Sequence, residues 1–284
     1  MQRVAILGLG IMGGGMAANW LAKGFEVAVW NRTAAKAQAL AGKGAKVAAT
    51  PREAATGADF IFAMVADDDA SRSVWPGADG ALAGAKSGAI GVESSTLTPD
   101  WIRELGHHAE AKGCGFLDAP VGGSRAAAEG GELRFFVGGD PQIYEAARPA
   151  LSAVGNRMDL LGPVGAGATW KLINNQLAAG QIAALAEALE VAKKAGFKNE
   201  QISELILGGA PASPIVKLKL PRMLARDFEP ADFALSLMLK DARYAAALAQ
   251  SLGAPAGMIE GAAKAFARAD AKGLGAKDIA AVVG

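Results

Sequence analysis

Val4-Ala5-Ile6-Leu7-Gly8-Leu9-Gly10-Ile11-Met12-Gly13 is the stretch whose reading decides the architecture. Four apolar residues read as a buried strand, and Ile11–Lys23 carries helical spacing. Between them stands G-x-G-x-x-G. Gly8 permits a tight turn, Gly10 lets backbone approach a pyrophosphate, and Gly13 lets helix and strand pack closely. The helix N-terminus, at Ile11 and Met12, then offers unpaired N–H groups and positive potential to phosphate. Glycine is abundant, 37 of 284 residues, so the motif alone is weak. Its place between a strand and a helix makes it a dinucleotide site.

The same alternation continues outward. Gly24 ends the first helix as a left-handed residue. Strands are expected at Phe25–Trp30, Phe60–Val65, Ala89–Glu93, Cys114–Leu117, Leu133–Val137 and Arg157–Leu161. Helices are expected at Thr33–Lys43, stopped by Gly44, at Pro51–Thr56, and at Pro99–Lys112, stopped by Gly113. Strands alternating with helices predict a mostly parallel, doubly wound α/β sheet covered on both faces. After Leu161 the pattern changes. A long helix over Gly167–Lys194 contains no proline, and helical spacing recurs near Asn199–Leu207, Pro214–Leu224, Leu235–Ser251 and Pro255–Ala271. Gly162-Pro163-Val164-Gly165 is the expected boundary, dividing a dinucleotide-binding domain (1–163) from an all-helical substrate and dimerisation domain (164–284).

Composition narrows the function. The 284 residues suit about two domains. The formal charge is +1, which excludes a strong general field for nucleic acid or an anionic membrane. Aromatics make up only 6%, too few for a base-stacking surface. One cysteine, Cys114, excludes an intrachain disulfide and a cysteine-rich metal site. The two histidines, His107 and His108, lie in a polar helix and read as surface groups, and no metal is expected. Asp67-Asp68-Asp69 reads as solvated cap and turn residues. Without a signal sequence or an apolar span, a cytoplasmic protein is expected.

The end of the second strand discriminates between cofactors. An acid there holds the ribose hydroxyls of NAD. Here the strand leads to Asn31-Arg32-Thr33, with Lys36 one turn on. Asn31 brings no repelling charge, Arg32 pairs with a 2′-phosphate, and Thr33 donates a hydrogen bond, so NADP is the expected cofactor. In the long helix, Gly167, Lys171 and Asn175 are spaced four apart and share a face. A lysine there is a proton donor in reach of an asparagine that holds a hydroxyl. By spacing alone, a solvated helix face is the competing reading.

Together these blocks make the chain resemble the β-hydroxyacid dehydrogenase family, which includes 3-hydroxyisobutyrate dehydrogenase and the glyoxylate/succinic semialdehyde reductases. The resemblance runs along the whole chain. Its blocks are Gly8–Gly13, then Asp118-Ala119-Pro120-Val121-Gly122-Gly123-Ser124, then Gly167-x-x-x-Lys171-x-x-x-Asn175, and finally Lys240-Asp241. The resemblance implies that Lys171 is the catalytic acid/base and Asn175 its neighbour. It implies that Met64, Val65, Thr96 and Lys240 lie by the nicotinamide, with Phe233 on the substrate side. It also implies that Gly122, Gly123 and Ser124 hold a substrate carboxylate. The family usually has serine where this chain has Gly122. The Ser124-Arg125 pair instead matches the glyoxylate-reductase branch.

The expected reaction is NADPH-dependent reduction of a small aldehyde acid in a cleft between the domains. Abundant Ala and Leu on several helix faces predict a homodimer or homotetramer. Two other readings stay open. An imine reductase shares the architecture but commonly carries Asp or Tyr at the Lys171 position. A non-catalytic dinucleotide-binding module typically lacks the lysine.

Overall fold

The computed structural model describes residues 2–284. The polypeptide forms two compact units, one ending at Lys171 and the other starting at Leu172.

The first unit is a nine-stranded sheet. It opens with β1 (Arg3–Leu7), α1 (Ile11–Ala22), β2 (Glu26–Trp30), α2 (Ala34–Ala41), β3 (Lys46–Val47), α3 (Pro51–Ala55) and β4 (Phe60–Ala63). There follow α4 (Asp68–Val74), α5 (Ala81–Gly84), β5 (Ile90–Glu93), α6 (Pro99–Glu110), β6 (Gly115–Asp118), β7 (Val121–Gly122) and α7 (Arg125–Gly130). The sheet closes with β8 (Leu133–Gly139), α8 (Pro141–Ser152) and β9 (Gly155–Gly162). Strands β3-β2-β1-β4-β5-β6 run parallel in that order. β6 and then β7 pair antiparallel with β8, and β9 pairs parallel with it.

The central strands β1 and β4 are buried on both faces, which is why they read as unbroken apolar runs. Val4 and Ile6 join one core with Phe60, Phe62, Ile90 and Val92. Ala5 and Leu7 point the other way, into a core with Ile61, Ala63, Trp75 and Trp101. The order reverses at β1, with β2 on one side and β4 on the other. In open α/β sheets that switch point is where ligands bind, outside the carboxyl ends of the strands.

Gly24, Gly44 and Gly113 take positive φ, as their helix-stopping role requires. Several short elements gave no periodic signal: β3, α4, α5, β7 and α7. The longer α8 lies outside the expected helices, although Asp140 caps it and Pro141 opens it. Pro149 lies inside it and weakens its helical pattern, since an interior proline lacks the N–H that a helix uses.

The second unit is helical. It begins within α9 (Ala166–Lys194) and continues through α10 (Asn199–Leu207), α11 (Pro214–Ala225), α12 (Leu235–Ser251) and α13 (Gly257–Ala269). The expected last helix is shorter than its pattern, giving way to a π turn at Asp270–Leu274, where Gly273 takes φ +80°, and a 3-10 turn at Ile279–Val283. Leu172, Ile182, Leu220, Met238 and Phe266 share its core, whereas Ala168, one turn before Leu172, belongs to a sheet core. Among the described residues no helix is long and apolar enough to cross a membrane.

Candidate active site

The glycine loop leaves β1 at Gly8, whose φ is +100°. A Cβ there would strike the Met64 carbonyl oxygen, and one on Gly13 would strike the Gly8 carbonyl oxygen. Gly10 is different. Its φ of −70° suits any residue, and a Cβ on it would meet nothing within 4 Å. Packing therefore demands glycine at positions 8 and 13 but not at position 10. A glycine that the protein itself does not need leaves room for a ligand's phosphate against the backbone. No side chain caps α1 and its first turn holds no acid, so Ile11 and Met12 open a helix whose first N–H groups have no side-chain cap. The residues present thus fit a dinucleotide.

The loop is braced from two sides. The Leu9 N–H donates to Asn31 Oδ1 at 2.8 Å, and Asn31 Nδ2 donates to the Thr33 carbonyl at 2.9 Å. Asn31 thus ties the glycine loop to the turn after β2. Arg32, Thr33 and Lys36 are exposed around it, and Thr33 precedes α2 without capping it. On the other side, Asn19 Nδ2 donates to Gly15 O, Ala128 O and Glu129 O at 2.9, 2.9 and 3.1 Å, clamping α1 to α7. A Cβ on Gly15 would lie 2.7 Å from the Ala128 carbonyl oxygen, so glycine is needed there too.

The Gly122-Gly123-Ser124 turn joins β7 to α7. Gly123 takes φ +131°, which only glycine adopts freely. A Cβ on Gly122 would make ordinary contact with Phe136 at 3.4 Å, so packing does not forbid the serine usual in the family. Ser124 precedes α7, and its hydroxyl makes no cap bond.

Asp118, in the same sequence block, has another role. It is wholly buried and accepts from Gly165 N at 2.8 Å and Ala168 N at 2.7 Å. Burial pushes its carboxyl above the usual range, while the backbone N–H groups oppose that rise. The carboxylate thus caps α9, five residues before half-buried Lys171. A Cβ on Gly167 would strike the Phe136 carbonyl oxygen and reach 3.0 Å from Asp118 Oδ2. That glycine serves close packing of α9 on the sheet.

In the helical unit, Asn175 is buried and its Nδ2 donates to Asp241 Oδ2 at 2.6 Å. Asp241 is buried as well, and its Oδ1 lies 3.0 Å from Lys240 Nζ. Lys240 also stands 5.0 Å above the Tyr244 ring, within cation–π reach. Asp241 therefore joins two of the expected residues, Asn175 and Lys240. Its own role was not legible, because the pairing spans 66 positions. Phe233 packs partly buried against the helical core. Its N–H donates to Asp278 Oδ2 at 3.4 Å, and its carbonyl accepts from Ile279 N at 2.9 Å.

The acidic run after β4 and the two histidines stand apart from the site. Asp67 caps α4 through Ala70 N, and Asp68 accepts from Thr98 N and Oγ1. His107 and His108 lie on the surface near Glu110 and Glu104.

Comparison with known proteins gives the lineage. Residues 3–162 match the family model of the NAD binding domain of 6-phosphogluconate dehydrogenase. Residues 165–284 match that of the NAD-binding region of NADP-dependent 3-hydroxyisobutyrate dehydrogenase. The chain is 36% identical to glyoxylate/succinic semialdehyde reductase 2, chloroplastic, of Arabidopsis thaliana, over 99% of this chain and 78% of that one. It is 35% identical to glyoxylate/succinic semialdehyde reductase 1 of the same plant, over 99% and 97%. The solved 3-hydroxyisobutyrate dehydrogenase of Mycobacterium tuberculosis, with L-serine, superimposes with a TM-score of 0.88 at 31% identity, over 100% of this chain and 98% of that one. Two matched halves and relatives this similar along nearly the full length make the protein an NAD(P)-dependent oxidoreductase of the β-hydroxyacid dehydrogenase family, akin to 3-hydroxyisobutyrate dehydrogenase.

Proposed function

We propose that the protein reduces a small aldehyde acid of the glyoxylate or succinic semialdehyde class with NADPH, using Lys171 as general acid. The observation that carries this reading is the buried Asn175–Asp241 bond one turn from Lys171. Burying an amide and a carboxylate costs stability that an apolar pair would not. A helix laid down only to fill a core has no use for them. The bond to Asp241 uses one of the two amide N–H donors of Asn175, and we assign the other to the substrate oxygen. The Lys171 ammonium donates the proton that this oxygen takes up, and the Gly122–Ser124 turn holds the substrate carboxylate. When bound, the dinucleotide supplies the hydride. The relatives named glyoxylate/succinic semialdehyde reductase and the Ser124-Arg125 pair support the substrate class.

A screen of NADPH oxidation over short aldehyde acids, keto acids and cyclic imines tests the reading. Turnover is expected with an aldehyde acid. Faster turnover of an imine, or none with any aldehyde acid, would replace it with one of the two alternatives.

Cofactor choice follows from the turn after β2. A charged hydrogen bond contributes about 1.5–3 kcal/mol. NADPH should therefore show at least about a tenfold higher kcat/KM than NADH. The double variant Asn31→Asp with Arg32→Leu is expected to reverse the order. Aspartate keeps the acceptor for Leu9 N but gives up the bond to the Thr33 carbonyl, so the glycine loop keeps its direct bond while the 2′-phosphate meets a negative charge. An unchanged ratio in the variant would show that Asn31 and Arg32 do not choose the cofactor.

We also propose a homodimer or homotetramer assembled through the helices. Ile173, Leu177 and Val191 lie along α9 with 39%, 63% and 68% exposure, an apolar face unusual on a monomer. Light scattering at micromolar concentration should give at least a dimer. The pair Leu177→Glu and Val191→Glu should shift it to monomer, and a monomeric wild type would sink the idea.

A further inference from the structure

Glu93 is the last residue of β5 and is wholly buried, in a strand otherwise made of Ile90, Gly91 and Val92. Its Oε2 accepts from Ser71 Oγ at 2.7 Å and from Trp75 Nε1 at 2.8 Å, and its Oε1 accepts from Ser95 N at 2.9 Å. Ser95 is buried too, and its Oγ accepts from the Val65 N–H at 2.7 Å. Residues 64 and 65 continue β4 directly, with Met64 N bonded to Leu7 O at 2.8 Å. They also underlie the glycine loop. The Cβ position on Gly8 lies 3.2 Å from Val65 Cγ1, and that on Gly13 lies 3.4 Å from Met64 Cβ.

We propose that Glu93 and Ser95 are positioning residues for the nicotinamide end of the cofactor, acting through the backbone at Val65 and through Thr96. This rests on the reading of Met64, Val65 and Thr96 as the nicotinamide lining. The burial of a carboxylate opposes its ionisation. A residue serving only the core would be apolar. Here the carboxylate instead gathers N–H and O–H donors from α4 and from the segment after β5. Ser95 then extends that grip to the segment after β4. Two loops at the carboxyl ends of neighbouring strands, beside the switch point, are thereby locked to one buried group. Thr96 follows Ser95 directly and inherits its placement.

The test compares affinity for NADPH with affinity for adenosine 2′,5′-bisphosphate, which lacks the nicotinamide, by NADPH fluorescence and competition. Ser95→Ala removes the acceptor for Val65 N and leaves the Ser95 N bond to Glu93. It should weaken NADPH about twofold to tenfold, the span of one neutral hydrogen bond, and leave the bisphosphate unchanged. Ser95→Thr, which keeps the hydroxyl, should restore NADPH binding. Trp75→Phe, removing one donor from Glu93 without touching either loop, should move NADPH in the same direction by less. Equal losses for both ligands, or a selective loss that Ser95→Thr fails to repair, would make the relay merely structural and overturn the proposal. So would a wild-type preference for NADPH over the bisphosphate that Ser95→Ala leaves intact. A wild type with no such preference would remove the reading of the lining, and the proposal with it.

Discussion

Lys171→Ala is expected to lower kcat by about 10²–10⁴-fold, the usual worth of general acid catalysis, with NADPH affinity retained. The structure makes this a clean experiment. Lys171 stands five residues beyond the start of α9, which the Asp118 carboxylate caps, and Gly167 seats the helix directly on the Phe136 carbonyl. Alanine is the best helix former, so the substitution leaves α9 intact. Steady-state kinetics, cofactor binding and circular dichroism separate loss of chemistry from loss of fold. A folded variant with half the wild-type kcat would remove Lys171 from the proton-transfer step. Asn175→Ala should cost less in rate, since a neutral hydrogen bond is worth about 0.5–1.5 kcal/mol. It should also lower Tm, because it takes a donor from buried Asp241 Oδ2.

The second large effect is on stability. Asp278→Ala should destabilise the protein by about 3–5 kcal/mol, the cost of breaking a buried ion pair from one side. Asp278 is wholly buried, and its Oδ2 lies 2.9 Å from Lys219 Nζ and 3.2 Å from Arg222 Nη1. Lys219 is itself only 3% exposed along its side chain and would keep an inadequately paired charge. The same Oδ2 accepts from Asp232 N at 3.0 Å, and Oδ1 accepts from Ala280 N at 3.0 Å. Burial pushes the Asp278 carboxyl up, but Lys219 and these N–H groups outweigh it and hold the carboxyl below its ordinary range. A depressed carboxylate stabilises the fold above its unfolded pKa of about 3.9 and loses that contribution as pH falls through the folded value. Urea melts should therefore show the full deficit of Asp278→Ala near neutrality and a narrowing gap below about pH 4. A gap that did not change with pH would remove the charge from the explanation. Pairing Asp278→Leu with Lys219→Met should recover much of the loss, since apolar replacement of a buried pair is often neutral.

Much of this molecule is legible along the chain because the physics concerned is local. Gly8 needs its positive φ, and Gly24, Gly44 and Gly113 end helices that way, whatever surrounds them. The unbroken apolar runs at Val4–Leu7 and Phe60–Ala63 require cover on both faces. From those facts the doubly wound sheet, the dinucleotide loop and the helical half follow. The four-residue spacing of Gly167, Lys171 and Asn175 likewise places them on one helix face.

Partners distant in sequence are another matter. Asp118 lies in a block that resemblance assigns to the substrate loop, yet its carboxylate bonds 47 and 50 positions away, at the start of α9. Gly167 could have served a ligand or a packed backbone, and only the nearness of the Phe136 carbonyl chooses the backbone. Glu93 looked like the plain end of a strand until Ser71, Trp75 and Ser95 closed around it. A backbone dihedral is chosen by the residue that carries it and its immediate neighbours, so sequence alone determined the glycine turns, and the apolar runs determined the layers. The worth of a buried carboxylate depends on which donors reach it and on how much water is excluded. Both are set when separate strands and helices pack, and that is why only the tertiary structure decided what Glu93, Asp118, Asp241 and Asp278 do.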